Sequence, residues 1–529
     1  MSNFYKQGSN RNQQLLFPPS IDDYIDEDNS ARAIEAYVEL LDLKKLQFTD
    51  TRKSNSTDGQ KAYSPKLLLK IYIYGYLNKI RSSRALEKEC KRNLELIWLT
   101  QDLKPSYHTI SDFRKNNPKA LKQVFKEFVL LCKNINLIGD GLKAVDGAFL
   151  RANASKNQLL MQSTIKKDLL KIEQEIEDYL QALEYADKES NPSNIIKKLP
   201  KDLRKLKYKQ EELSNNLKLL EDMDKTQYNR TDPDASLMRK PSHNLMAYNS
   251  QIVVDEKFKF IVATDISSQG SDLKQLHHMA QLTKENLNID TLEIVADTGY
   301  DSAKEIKKCT DENIIPIVAR AKKQQPNKNK YSRDKFIYNK EDDCYLCPNN
   351  QQLIKSKIVR EKLEKKEIQY QSSSKVCKTC ILKDECIPKK TTYKKLWRWE
   401  HEDIIEIHSE KMQTKEAKAI IKKRGSIVEH PFGTIKRTLG WNHFLVRSKK
   451  KVAGENALIM FTYNFKRLLN LIGVHLFQKL MTAIKEGDNL NKIREEIAKY
   501  IADSWYIMTY FFKKIIIMKK DTVVFPLRP

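Results

Sequence analysis

Two short apolar runs, each carrying a single aspartate, narrow the possible folds of this chain more than any other feature. Asp146 lies in LKAVDGAFLRA and Asp297 in LEIVADTGYDS. An apolar run of this length, bounded by turn residues, reads as a buried strand. An acid near the end of such a strand is presented at the edge of a sheet. A third acid stands far downstream in RGSIVEHPFGTIKR, where Glu429 has Lys436 and Arg437 within a helical turn or two. Alone, that segment also reads as a solvated basic helix face. Brought together with the two strand acids, Glu429 completes the set of oxygen ligands that a two-metal site for hard cations needs.

The charge balance points to the partner. Ninety-five Lys and Arg against 69 Asp and Glu give a formal net charge of +26, a basic excess that speaks of a polyanion rather than of a fold. Binding to such a partner releases counterions and weakens steeply as salt rises. The 529 residues are enough for two to four domains with cores of their own. The N-terminus MSNFYKQGSNRNQQ has no apolar h-region. The run from Trp505 to Met518 is interrupted by Lys513 and Lys514, too short and too charged for an ordinary membrane span. These features predict a soluble, cytoplasmic, nucleoid-associated protein with no membrane partner.

Along the chain, residues up to about 138 read as helical. Ser64 and Pro65 make a cap and first-turn proline ahead of Leu67, Leu68, Ile71 and Tyr74. Further helices carry Ala85, Leu86 and Cys90, then Leu94, Ile97 and Trp98, and a fourth opens near His108 or Thr109 and leads to Arg114 and Lys115. Short helices with basic ends suit either a helix-turn-helix-like DNA-binding module or a plain helical scaffold. After the Asp146 strand, Ile165, Leu169, Ile172, Ile176, Tyr179 and Leu183 alternate in steps of four and three, and a second stripe runs from Leu199 to Leu220. The pair predicts an antiparallel helical hairpin, self-packed more simply than used as a dimer contact. NSQIVVDE and KFIVATDIS then read as an antiparallel pair, followed by a helix over about 272–287, LEIVADTGY, a helix from Ser302 to about Cys309, and NIIPIVAR. The fold class is therefore α+β, with the mixed sheet of an RNase H-like core and the Glu429 helix lying across it. His243 and Asn244, just ahead of the second strand, are candidates for supporting the site.

Residues 321–395 interrupt this core with a lysine-rich stretch and then Cys344-x2-Cys347, Cys377-x2-Cys380 and Cys386. Paired CxxC units in an intracellular chain are the signature of a Cys-ligated structural Zn²⁺. Five cysteines are one more than a tetrahedral site takes; the spare is Cys344 or Cys386. Cys90, Cys132 and Cys309 stand alone as buried apolar side chains.

Five segments occur in a familiar order: TISDFRK from Thr109, VDGAFLRANASK from Val145, ADTGYDS from Ala296, VEHPFGTIKR from Val428 and YNFKRL from Tyr463. With them the chain resembles the DDE transposases of bacterial insertion sequences, and most of all the insertion sequence 1182 group, over roughly residues 15–472. That resemblance implies an RNase H-like fold with Asp146, Asp297 and Glu429 as the catalytic triad and as ligands for two Mg²⁺ or Mn²⁺ ions. It implies metal-dependent cleavage and strand transfer on double-stranded DNA, at transposon ends and target, by a homodimer. Arg114, Lys436, Arg437, Lys466 and Arg467 would contact DNA. The implied organisation is a helical N-terminal DNA-binding domain (1–138), core segments at 139–162 and 226–320, the hairpin (163–225), the Cys-rich insertion (321–395), C-terminal catalytic helices (396–472) and a tail (473–529). One departure stands out. In the wider group an arginine precedes the glutamate with three residues between, whereas here Gly425 holds that position, Arg424 comes one residue early and Ile421 stands where a tyrosine would be. Two other readings fit the same residues: a nuclease that cleaves without joining, and a DNA-binding protein that has lost catalysis.

Overall fold

The structure is a computed structural model and describes residues 20–49, 62–188, 203–239, 244–320, 331–362, 364–388 and 391–504. His243, Leu199 and the apolar tail from Trp505 lie outside the described residues. No helix among the described residues is long and apolar enough to cross a membrane.

The N-terminal part is helical, as its capping signals predict. Ser64 accepts from the Lys66 amide and Pro65 opens the helix Pro65–Leu77, satisfying a free helix-end donor where proline lacks one to offer. Shorter helices follow at Ser83–Glu89, Leu94–Thr100 and Tyr107–Asn116, capped by Ser82, Asn93 and Ser106, and then a longer one at Pro118–Asn134.

The central sheet has six strands: β1 (Lys143–Arg151), β4 (Ser236–Arg239), β5 (Asn244–Asp255), β6 (Ile261–Ser267), β7 (Leu292–Ala296) and β8 (Ile314–Val318). The long β5 pairs antiparallel with β1 on one side and with both β4 and β6 on the other, while β1, β7 and β8 run parallel. Only the parallel neighbours need crossover connections, and the helix Leu276–Leu287 comes between β6 and β7 in the chain. The buried pair Lys143–Asp255, 3.0 Å apart, ties the start of β1 to the end of β5.

Between β1 and β4 the chain leaves the sheet. A two-stranded stalk, β2 (Leu159–Met161) with β3 (Gln227–Asn229), carries the helices Gln162–Lys188 and Leu203–Asp222, which pack on each other. Ile165, Ile172 and Leu220 are buried within this hairpin, so the apolar stripes serve its own packing.

After β8 the chain builds a second, antiparallel sheet from β9 (Ile337–Asn339), β10 (Cys344–Leu346), β11 (Gln352–Lys362), β12 (Lys365–Gln371) and β13 (Lys395–Trp399), each paired with the next. Its buried apolar cluster is small: Phe336, Tyr345, Leu353, Tyr370 and Leu396. The helix Lys415–Gly433, which carries Glu429, then packs across β1, β5, β7 and β8. The helix Lys449–Glu486 packs on β6 and on Pro118–Asn134, and is broken at Gly473, where φ is +74°.

Candidate functional site

Asp146 is the fourth residue of β1 and lies opposite Ile252 of β5. It sits inside the strand, not near its end as the apolar pattern suggested. Asp297 follows the last residue of β7 and caps a short 3-10 turn, accepting from the Gly299 amide at 2.8 Å. Because β1 and β7 are parallel neighbours, the two acids come to the same region of the sheet. One guanidinium faces both: Arg424 lies 3.4 Å from the Asp146 carboxylate and 4.0 Å from that of Asp297. The one-residue displacement of Arg424 from the wider group's spacing has therefore not taken it away from the acids.

A third carboxylate was not anticipated. Asp272, in the loop after β6, accepts from Asn249 Nδ2 at 2.7 Å and Gln251 Nε2 at 2.6 Å, both on Oδ1. Tyr300 donates to Gln251 Oε1 at 2.5 Å, extending the chain of contacts to the turn that Asp297 caps. Gly147 makes the arrangement possible: a Cβ there would lie 2.4 Å from Gln251 Nε2 and 2.8 Å from Asp272 Oδ1. The Asn249 side-chain oxygen is buried and accepts no hydrogen bond from the described residues, and Arg424 Nη1, also buried, faces Asp146 as an ion pair without a hydrogen bond. The sequence carries a signal for the two amides but not for the acid: Asn249 and Gln251 stand two apart in β5, which puts both on one face.

Burial pushes the Asp146 carboxyl up, and although Arg424 and the Gly147 amide oppose this, the Asp297 and Asp272 carboxylates add to it. Burial likewise raises Asp272, against its two amide donors and with the help of Asp297. Like charges gathered in a partly desolvated place disfavour one another's ionised form, so the region is short of positive charge.

Glu429 is exposed and folds back along its own helix; a Cβ on Gly425 would lie 3.3 Å from its Oε1. Its helix is nonetheless fixed over the sheet. Lys423 pairs with Glu256 at the β5–β6 turn, and His430 meets Tyr463, which donates to the Lys259 carbonyl at 2.9 Å. As placed, no three His, Cys, Asp or Glu side chains among the described residues converge closely enough to hold a metal ion.

The basic residues divide. Arg437 is exposed, on a π-helical turn at Thr434–Thr438, and Lys436 lies over the Phe432 ring at 5.3 Å. Lys466 is half-buried, and Arg467 donates to the Phe258 carbonyl. Arg114 corrects the expectation. It is buried, 3.1 Å from the fully buried Glu455, and donates to the Tyr76 hydroxyl at 3.1 Å. A guanidinium committed to an internal carboxylate has none of its charge to offer a phosphate. Asn244 lines a cavity of about 900 Å³ with Arg151, Lys156, His443 and Arg447, and the acids are not among the lining residues.

The cysteines also divide. Cys347, Cys377, Cys380 and Cys386 line one small cavity, whereas Cys344 is buried in β10 and is not part of that lining.

Residues 19–116 match the family described as Transposase domain (DUF772), and residues 346–469 match the family described as Transposase DDE domain. The second match takes in Glu429 and the four clustered cysteines; neither reaches Asp146 or Asp297. No curated protein matches the chain. Among solved structures, the chain is similar to the piggyBac transposase in a cryo-EM synaptic complex with hairpin DNA. That similarity has 9% identity, covers 95% of this chain and 84% of that one, and has a TM-score of 0.28, too distant to bear on fold or function. Two separate stretches of the chain thus match transposase domain families, the second of them a DDE domain.

Proposed function

We propose that this protein is the transposase of a bacterial insertion sequence, of the insertion sequence 1182 group, and that it cuts DNA at the element's terminal repeats and joins the freed ends to target DNA. Asp146, Asp297 and Glu429 are the acids of this reading, on a core of RNase H-like topology. One observation carries it: Asp146 on β1 and Asp297 after β7 face the same guanidinium, and that guanidinium belongs to the helix that bears Glu429. The strand order β6-β5-β1-β7-β8, antiparallel on one side of β1 and parallel on the other, agrees with it.

The donor set fits hard divalent cations. The acids offer oxygen ligands alone, the preference of Mg²⁺ and Mn²⁺, and the carboxyl group of Asp146 is raised by burial and by neighbouring acids, with Arg424 opposing. Such ions, held by Asp146, Asp297 and Glu429, would supply an activated oxygen nucleophile and charge stabilisation at the leaving oxygen. The chain's own residues do the rest. Arg424 holds the two aspartates in place when no cation does. The Gly147 and Gly299 amides orient the acids by donating to Asp146 Oδ1 at 2.9 Å and Asp297 Oδ1 at 2.8 Å. In this reading Lys436 and Arg437, in the turn that ends the Glu429 helix, grip phosphates. The partner is double-stranded DNA, the active species a homodimer, and the site of action the nucleoid in the cytoplasm.

The test is a cleavage and strand-transfer assay in Mg²⁺ on DNA carrying the flanking ends, comparing the natural protein with Asp297→Ala. Nicking and joining by the natural protein, with binding but neither reaction in the variant, is the expected outcome. Undiminished cleavage by Asp297→Ala removes that residue from the site and overturns the assignment. Cleavage without joining would favour a nuclease.

A further inference from the structure

We infer that the unit at 331–399 is built around one structural Zn²⁺ held by Cys347, Cys377, Cys380 and Cys386, with Cys344 as the spare cysteine. The four thiols come from two places in the chain and line a single cavity of about 30 Å³. That volume suits a single ion or water and nothing larger.

The local backbone is that of a metal knuckle. Cys347 opens a tight turn in which its amide donates to the Gln351 carbonyl at 2.9 Å, the Asn350 amide donates to the Cys347 carbonyl at 2.8 Å, and Asn350 is left-handed at φ +50°. The turn aims the Gln351 amide at Cys347 Sγ, 3.3 Å away. Asn349 Nδ2 lies 3.6 Å from Cys380 Sγ, and Ser372 Oγ lies 2.8 Å from Cys377 Sγ. The Gln351 and Asn349 N–H donors directed at sulfur stabilise thiolates, the form that binds metal. All four cysteines are free, with no disulfide to account for their gathering. As placed they surround the cavity without converging on one point; rotation about each Cα–Cβ bond moves a sulfur between staggered positions with no change of backbone. Cys344 has none of these features. It is buried in β10, paired with Ile354 of β11.

The unit also needs such a crosslink. Its buried apolar cluster is five side chains, and cores of this size seldom hold a fold without a metal or disulfides. A closed site of four thiolates supplies folding free energy directly, here by joining the β10–β11 turn to the short helices Ser374–Lys378 and Lys383–Cys386. The inference does not rest on the catalytic reading, because the acids at the central sheet take no part in it.

The experiment measures metal content in the purified full-length chain, with Cys344→Ser, Cys347→Ser, Cys386→Ser and Asp297→Ala beside it. About one zinc per chain is expected in the natural protein, in Cys344→Ser and in Asp297→Ala, with most of it lost from the other two. Loss of zinc from Cys344→Ser, or a natural chain that takes up neither zinc nor cobalt, overturns the assignment. Since a variant without a ligand could simply misfold, the natural protein is also loaded with Co²⁺. Absorption of a tetrahedral four-thiolate site is expected; a weak octahedral spectrum, or cysteines found in disulfides by mass, overturns it.

Discussion

Asp272 sits where two amides of one strand and the turn after another meet. Its Oδ1 takes both amide donors, and a Cβ on Gly299 would lie 3.8 Å from its Oδ2. The side chain therefore adds a negative charge beside Asp146 and Asp297 while being held from behind by Asn249 and Gln251. Asp272→Asn keeps an acceptor for the two amides and removes only the charge. Groups that orient metal ligands from behind typically change metal affinity or activity 10–100-fold, so a fall of about that size in metal-dependent cleavage is expected, with DNA binding retained. Cleavage at the natural rate would make Asp272 part of the scaffold only. Asp146 and Asp297 could be picked out from the sequence because each interrupts an apolar run. Asp272 could not, since it follows SSQGS in a polar loop and only the fold carries that loop back to β1.

At the scale of elements, strands and helices were legible where apolar residues repeat and caps are explicit. The Ser64–Pro65 start, the hairpin stripes and the antiparallel pair of β5 and β6 all follow from local pattern. The helix expected from about 272 begins at Leu276 instead, after a turn in which the Gln275 amide donates to the Asp272 carbonyl at 2.9 Å while the Asp272 side chain is engaged with β5. The motif segments with basic residues also carry packing residues. In TISDFRK, Ile110, Phe113 and Arg114 are buried, and in YNFKRL the Asn464 side chain accepts from the Ile261 amide at 2.9 Å and donates to its carbonyl at 2.8 Å. These segments pin helices to the core and to β6. Close packing of this kind depends on Gly454, where a Cβ would meet the Pro118 backbone at 2.5 Å. Gly454→Ala must push the two helices apart, and a loss of about 1–3 kcal/mol is expected from such overpacking. Urea unfolding measures it; an unchanged midpoint would mean that the contact yields freely.

For the whole molecule, the net charge of +26 predicts DNA binding dominated by counterion release. With six to ten phosphate contacts, affinity should fall about 10³–10⁵-fold between 50 and 200 mM salt. Arg437→Gln should reduce the slope of log affinity against log salt by about one, as measured by fluorescence anisotropy over a salt series. Arg114→Gln should leave that slope alone and instead lower the unfolding midpoint, since stripping one partner from a buried ion pair costs about 3–5 kcal/mol. A reduced slope in Arg114→Gln with unaltered stability would return that residue to the DNA-binding surface.

Local physics in the sequence was enough to determine the alternation of strands and helices, the basic character, the hairpin and the cysteine-rich unit, because periodicity, caps and spacing act over a few residues. It also drew attention to Asp146 and Asp297, which the fold brings to one guanidinium, and to Glu429 on the helix that carries that guanidinium. Tertiary structure alone decided which charges meet. It buried Arg114 against Glu455, 341 residues away, turned Arg424 toward both aspartates, added Asp272 and left Cys344 outside the thiol cluster. Each of these is a through-space pairing across strands or helices distant in the chain, set by how the elements pack, and no spacing along the sequence records it.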